Sequence, residues 1–266
     1  MSGRSIAVVS GKGGAGKSML VTALGAQWAF HRKRVLLVDL NTGMRGLDML
    51  LGLESRVVFD LGDVLDGMCG AEQAILSDSR TGMRLLAARQ ISDTDTVNAQ
   101  ALSGLVKTLA EDFDVVLLDA PGGLGKNVRA AVGAAQEALL VTTPDDAALR
   151  DAERAAGLLS EMDVRLAGLV LNRIRPEFVE EGLQYTPEVC SQVLDVRVAG
   201  VIPDDREVWR RMLARQPING DFPAAWAVRN LMERLEDSGT ALRSWRGEEQ
   251  EMIKRKKGFL RRGQAL

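Results

Sequence analysis

Apolar positions along the 266-residue chain gather in short runs, separated by stretches in which they recur every three or four residues. The runs are Ile6–Val9, Val35–Val38, Met83–Ala87, Val115–Leu118, Ala138–Thr142, Leu166–Leu171 and Val198–Val201, rich in Val and Leu and too short for helices. Unbroken apolarity predicts strands buried on both faces, the condition of a parallel sheet covered by helices. Helical spacing is clearest at Lys17–His31, Ala99–Asp112, Asp146–Met162 and Ala224–Leu235. Strands and helices alternate, so the expected fold is α/β, a mostly parallel sheet flanked by helices, in one domain over residues 1–236. Over 237–247 the pattern loosens around Asp237, Ser238, Gly239 and Thr240, which reads as a linker to a separate tail at 248–266.

The segment after the first strand adds chemistry. Ser10-Gly11-Lys12-Gly13-Gly14-Ala15-Gly16-Lys17-Ser18 places Gly11, Gly16, Lys17 and Ser18 in the spacing G-x-x-x-x-G-K-[ST], between a strand and a helix. Its glycines let the backbone curl so that successive N–H groups point at phosphate oxygens, and the following helix adds the positive end of its dipole. The pattern makes this a P-loop nucleotide-binding fold, with Gly11 to Ser18 as the phosphate cradle and ATP and Mg²⁺ as the expected cofactors. Lys17 would neutralise the β- and γ-phosphates, and the Ser18 hydroxyl would help to hold Mg²⁺. The run Val115–Leu118 closes on Asp119, a carboxylate at the carboxyl edge of the sheet, where it would reach the same metal. Pro121-Gly122-Gly123 follows as turn chemistry that leaves the loop free to respond to the γ-phosphate.

Lys12 is not demanded by that spacing. Lys12-Gly-Gly-x-Gly-Lys-Ser18 resembles the deviant Walker A box of the MinD/ParA ATPases, and the stretch from Val38 through Asp39, Leu40 and Asn41 to Arg45 and Leu47-Asp48 resembles switch I of the MinD branch. The resemblance implies that Lys12 reaches across a nucleotide-sandwich homodimer to the partner's phosphates, so that ATP, and not ADP, is the condition for pairing. It also implies that Asp39, and the side chain two residues later, orient the attacking water or hold water on Mg²⁺. Here this chain departs from the pattern, with Asn41 where the branch has Asp. An amide still hydrogen-bonds water but cannot accept its proton, so slow hydrolysis is expected. Lys12, Lys17, Asp39 and Asn41 are thus the expected catalytic set, and Ser18, Asp39 and Asp119 the metal set. Leu171-Asn172-Arg173 and Val201-Ile202-Pro203-Asp204 resemble the family's adenine-contacting stretches, with Asn172 at the base edge and Pro203 and Asp204 beside it.

Charge sharpens the tail. The chain carries a net charge of −2, yet residues 252–262 hold Lys254, Arg255, Lys256, Lys257, Arg261 and Arg262 with no acid, so the body is strongly acidic. On a helical wheel Met252, Ile253, Phe259 and Leu260 share an arc of about 120°, with Lys257 and Arg261 outside it and Lys256 placed to snorkel. That is the pattern of a helix lying in a membrane interface with its basic face on anionic headgroups. Lys257-Gly-Phe-Leu-Arg261 also resembles the membrane-targeting tail of the MinD branch. The family then implies an ATP-dependent homodimer on the inner face of the cell membrane that regulates division-site placement. It would recruit a MinC-like division inhibitor and be discharged by a MinE-like or other topological factor. An ATP-gated scaffold with little hydrolysis is the alternative that Asn41 opens, along with related positioning ATPases for flagellar number or DNA partition. The acidic body speaks against nucleic acid as a partner. No run of about 18 apolar residues occurs, and no leader-like segment precedes the first strand, so a cytoplasmic protein is expected. Cys69 and Cys190 lack metal spacing, and a single histidine, His31, rules out a Ser-His-acid set elsewhere.

Overall fold

Ile6 and Val8 of the first strand enter one hydrophobic core, and Ala7 and Val9 enter another on the opposite face. Period-two geometry imposes this division on any strand covered on both sides. In the computed structural model, which describes residues 3–42, 46–90 and 96–246, the strands are β1 (Arg4–Val9), β2 (Val35–Asp39), β3 (Ile75–Ser77), β4 (Arg84–Leu86), β5 (Val115–Asp119), β6 (Glu137–Thr142), β7 (Arg165–Ile174) and β8 (Val198–Pro203). They form one sheet in the order β3-β4-β2-β5-β1-β6-β7-β8, parallel throughout except for the β3–β4 pair. The helices are α1 (Lys17–Phe30), α2 (Gly46–Leu51), α3 (Leu61–Leu65), α4 (Ala71–Ala74), α5 (Ala99–Asp112), α6 (Lys126–Ala134), α7 (Asp146–Glu161), α8 (Pro176–Glu180), α9 (Pro187–Leu194), α10 (Arg206–Leu213) and α11 (Pro223–Glu236).

The expected strands are all present, and the sheet adds β3, whose three half-buried residues carry no readable period. Two strands also run further than their apolar runs suggest. β7 continues to Ile174 and β8 to Pro203, so Asn172, Arg173 and Pro203 belong to strands and not to the loops after them. Asn172 is tolerated at the buried end of β7 because its amide bonds the Ala15 carbonyl and the Arg173 N–H.

Helix α1 is buried on nearly every side, from Met19 to Trp28, because α11 covers the face that the sheet does not. Helix α5 instead buries one stripe, Leu102, Val106, Leu109 and Ala110, and starts where the Asn98 side chain accepts from the Gln100 and Ala101 N–H groups. Trp28 crosses to the end of α11, its indole N–H donating to Glu236 at 3.0 Å.

The stretch read as a linker has neither helix nor strand as far as Arg246, but it is anchored. Asn230 on α11 donates to the Ala241 carbonyl at 3.0 Å and accepts from the Arg243 N–H at 2.9 Å, while Leu242 and Trp245 pack on the second core. Two apolar residues among polar neighbours were too few to show this in the sequence. Met252, Ile253, Lys256, Lys257, Phe259, Leu260 and Arg261 of the tail, and Arg45 of the switch-like stretch, lie outside the described residues.

Candidate nucleotide site

From the end of β1 the chain curls through Ser10 to Gly16, which caps α1 with a φ of 92°. That is the left-handed conformation glycine tolerates, and a side chain there would also strike the Asn172 amide. No side chain caps α1, so its first N–H groups stay available to an anion. Lys17 folds back under the loop, its ammonium donating to the Ser10 hydroxyl at 2.8 Å, and Ser10 donates in turn to the Lys12 carbonyl at 2.6 Å. Burial lowers the Lys17 pKa, against the pull of Asp119. Ser10 is thus part of the site, although the loop pattern does not require it.

Two fully buried carboxylates stand side by side beneath the loop, since Asp39 of β2 and Asp119 of β5 are partners in the parallel register. Asp39 is held by backbone: one oxygen accepts from the Asn41 N–H at 2.9 Å and the other from the Leu47 N–H at 3.0 Å. Burial nevertheless pushes it up to about 6. Asp119 has no hydrogen-bond partner for either oxygen among the described residues. Burial, reinforced by the neighbouring Asp39 carboxylate, pushes it up to about 7, and the nearby Ser18 hydroxyl and Lys17 offset this only in part. An orphaned buried carboxylate costs stability unless a cation satisfies it. A second carboxylate and a serine hydroxyl complete an all-oxygen donor set, which fits a hard divalent ion such as Mg²⁺.

Above these acids lies a cavity of about 340 Å³, within the range of small-molecule sites. Gly13, Gly14, Gly16, Lys17, Ser18 and Asn41 line it together with Asn172, Pro203 and Asp204, and Asn172 lies directly against the loop. The structure therefore gathers most of the expected residues around one space. Gly11 sits instead against the backbone carbonyl of Asp151, and the buried Ala15 gives its carbonyl to the Asn172 amide at 2.8 Å. The Asn172 side-chain oxygen accepts from the Arg173 N–H at 3.0 Å, and its 1% exposure makes it a brace behind the loop with little left to offer a base. Asp204 accepts from Arg175 Nε at 2.6 Å. Lys12 does not line the cavity. It points to Asp145, 3.9 Å away, with both side chains about half exposed.

Gly122 and Arg173, both in stretches that the sequence singled out, and Trp209, which was not, also line the cavity. Gly122 lies so close to the loop that a Cβ would stand 2.6 Å from the Gly13 nitrogen, which couples the turn after Asp119 directly to the phosphate cradle. Arg173 and Trp209 line the far end of the cavity and stack on one another, the guanidinium carbon 5.3 Å from the ring centre. Tryptophan in a soluble chain is expected as core, and Trp28 obeys that at 1% exposure, but Trp209 is 53% exposed. Only its position four residues after Asp205 on a helix would have placed it here.

Comparison with known proteins agrees with this geometry. Residues 6–218 match the CobQ/CobB/MinD/ParA nucleotide binding domain. The septum site-determining protein MinD of Bacillus subtilis (strain 168) is 36% identical over 262 residues, covering 97% of this chain and 98% of its own. Among solved structures, the MinC:MinD cell division protein complex of Aquifex aeolicus gives a TM-score of 0.83 at 33% identity, over 91% of this chain and 99% of that one. The MinD of Pyrococcus horikoshii OT3 complexed with Mg-ADP gives 0.79 at 28% identity, over 89% and 97%.

Proposed function

This chain belongs to the CobQ/CobB/MinD/ParA nucleotide-binding family, and on that premise we propose that it is an ATP-operated regulator of septum placement whose two states differ in pairing and membrane attachment. It is an ATPase of the MinD kind that works with ATP and Mg²⁺. The observation that carries the reading is the joining of a phosphate loop, the buried Lys17 and the orphaned Asp119 around one nucleotide-sized cavity.

Each residue has a task that its surroundings allow. Loop N–H groups and the start of α1 take phosphate oxygens, and Lys17, already beneath the loop, exchanges its Ser10 partner for them. Ser18 and Asp119, with Asp39 behind them, would hold Mg²⁺, which would supply charge neutralisation for the β- and γ-phosphates. Asp39, with both oxygens taken by backbone N–H groups, serves better by fixing the start of the switch-like stretch than by binding metal directly. Asn41 lines the cavity where it can orient a water without taking its proton, so turnover is slow. Lys12, outside its own cavity and held among the described residues by a weak exposed contact with Asp145, would cross to a second copy's phosphates.

ATP-dependent pairing places two basic tails side by side, and two marginal membrane anchors on one particle bind far better than one. No helix among the described residues is long and apolar enough to cross a membrane, so attachment falls to the tail at 248–266. By analogy with the Aquifex complex, the paired state would receive a MinC-like inhibitor, and a MinE-like or other topological factor would discharge it. Co-sedimentation with anionic vesicles tests the cycle. Pelleting is expected with Mg-ATP, not with Mg-ADP, and not for a chain ending at Glu249. Pelleting of the shortened chain, or equal pelleting with either nucleotide, would contradict it.

A further inference from the structure

Helix α10 buries one stripe and exposes another. Val208 and Met212 pack on the first core, while Arg206, Trp209, Arg210 and Leu213, at the i, i+3, i+4, i+7 spacing of a single face, are all exposed. Leu213 is 89% exposed and the larger Trp209 53%. Residues 206–215 hold four arginines against one acid, a basic island on an acidic body. Glu207 pairs with Arg211 at 3.2 Å and meets Arg210 only at 3.6 Å, and Arg215 pairs with Glu54 at 2.6 Å. The charge this face presents is therefore that of Arg206 and Arg210.

A second cavity, of about 510 Å³, joins the face to the root of the tail: Arg206 lines it with Trp226 of α11 and with Arg243 and Trp245, which lead into the tail. Trp28 is core, but Trp209, Trp226 and Trp245 each keep some exposure and lie under an arginine. The guanidinium carbons of Arg173, Arg243 and Arg246 stand 5.3, 4.8 and 5.3 Å from the respective ring centres. Two of the cavity's three acids are already held. Asp205 accepts from the Glu207 N–H at 2.9 Å and the Ala224 N–H at 3.2 Å, and Asp204 accepts from Arg175. Indoles under guanidiniums, beside an exposed leucine, suit the boundary between anionic headgroups and acyl chains, where the ring sits at headgroup depth and the charge stays outside.

We propose that this face is a second membrane-contacting surface, carried by the body itself: the tail brings the protein to anionic lipid, and Arg206, Arg210 and Leu213 seat the body against it. The inference rests on the membrane reading of the tail given above. Nucleic acid, the other polyanion, has no use for an exposed Leu213 and is repelled by the acidic body.

Co-sedimentation of the full chain in Mg-ATP with phosphatidylglycerol–phosphatidylcholine vesicles of low anionic fraction tests this. Arg206→Ala/Arg210→Ala is expected to weaken vesicle binding about tenfold, and Leu213→Ser about threefold. Arg206→Lys/Arg210→Lys should stay close to the unaltered protein, because a bilayer reads the charge and not the guanidinium fork. None of these three residues lines the nucleotide cavity, so unchanged Mg-ATP affinity in calorimetry reports that each variant is folded. Trp209, which does line it, is left in place. Vesicle binding of the arginine and leucine variants equal to that of the unaltered chain overturns the proposal and leaves the tail as the sole anchor. Retention of double-stranded DNA that the alanine variant loses, with vesicle binding unchanged, overturns it in favour of nucleic acid. If the unaltered chain does not pellet in Mg-ATP, the membrane reading and this surface fall together.

Discussion

At its phosphate end the cavity is made of backbone and charge: a glycine-rich turn, the start of α1, and Lys17 above two buried carboxylates. At its far end, strand β7 and helix α10 offer side chains instead, a strained Arg173 and an exposed Trp209. The first end is constrained by the ligand, since any triphosphate presents the same oxygens and the same charge. The second is constrained only by shape, so a given chain can build it in its own way. Substitutions at the phosphate end should therefore weaken binding most, and those at the far end should only tune it.

The largest effect is expected from Lys17→Ala. It removes the one ammonium placed beneath the loop and should weaken Mg-ATP about a hundredfold in calorimetry. Next comes Asp119→Asn, whose two consequences oppose each other. Mg²⁺-dependent ATP binding should fall about thirtyfold, while the Mg²⁺-free protein gains stability at pH 8. The sign follows from the raised pKa. Asp119 titrates near 7 in the native state against about 4 unfolded, so the native state holds an extra proton between these values and loses stability as pH rises through them. The amide removes that loss, and a melting temperature higher by about 2–4 °C at pH 8 corresponds to roughly 1 kcal/mol. The gain should vanish below pH 4, and a gain that persists there would point to some other cause.

Asn41→Asp probes the step after binding. Restoring a carboxylate beside the cavity should raise ATP turnover about tenfold or more without altering ATP affinity. No increase would place the slow step elsewhere and favour the scaffold reading. The smallest effect belongs to the brace between the two ends. Asn172→Ala loses the bonds to Ala15 and Arg173 and should weaken ATP about fivefold. If Arg173 is then released from its strained conformation, the change should be larger for ATP than for tripolyphosphate.

The same contrast explains what could be read from the sequence. The phosphate loop and Asp119 were legible because each is a local pattern tied to one strand end, and the strands announced themselves by unbroken apolar runs. The side-by-side placement of Asp39 and Asp119 was not, because it depends on the β2–β5 register across most of a hundred residues. The way Arg173 is aimed was hidden for a different reason, since it comes from a bulge that no residue type signals. The eight-residue α10, although Val208, Trp209 and Met212 share one face, does not show in sequence that this face meets the cavity. Similarly, the anchored 237–246 segment depends on Leu242 and Trp245, two residues that composition alone cannot distinguish from exposed ones.

In the proposed cycle ATP, sensed through Lys12, controls pairing. Sedimentation velocity of the chain in Mg-ATP and in Mg-ADP, for the unaltered protein and for Lys12→Ala, tests it most directly. The expected result is a dimer only for the unaltered protein in Mg-ATP, with Lys12→Ala remaining a monomer in both. A monomer in Mg-ATP, a dimer in Mg-ADP, or pairing that survives Lys12→Ala would contradict it.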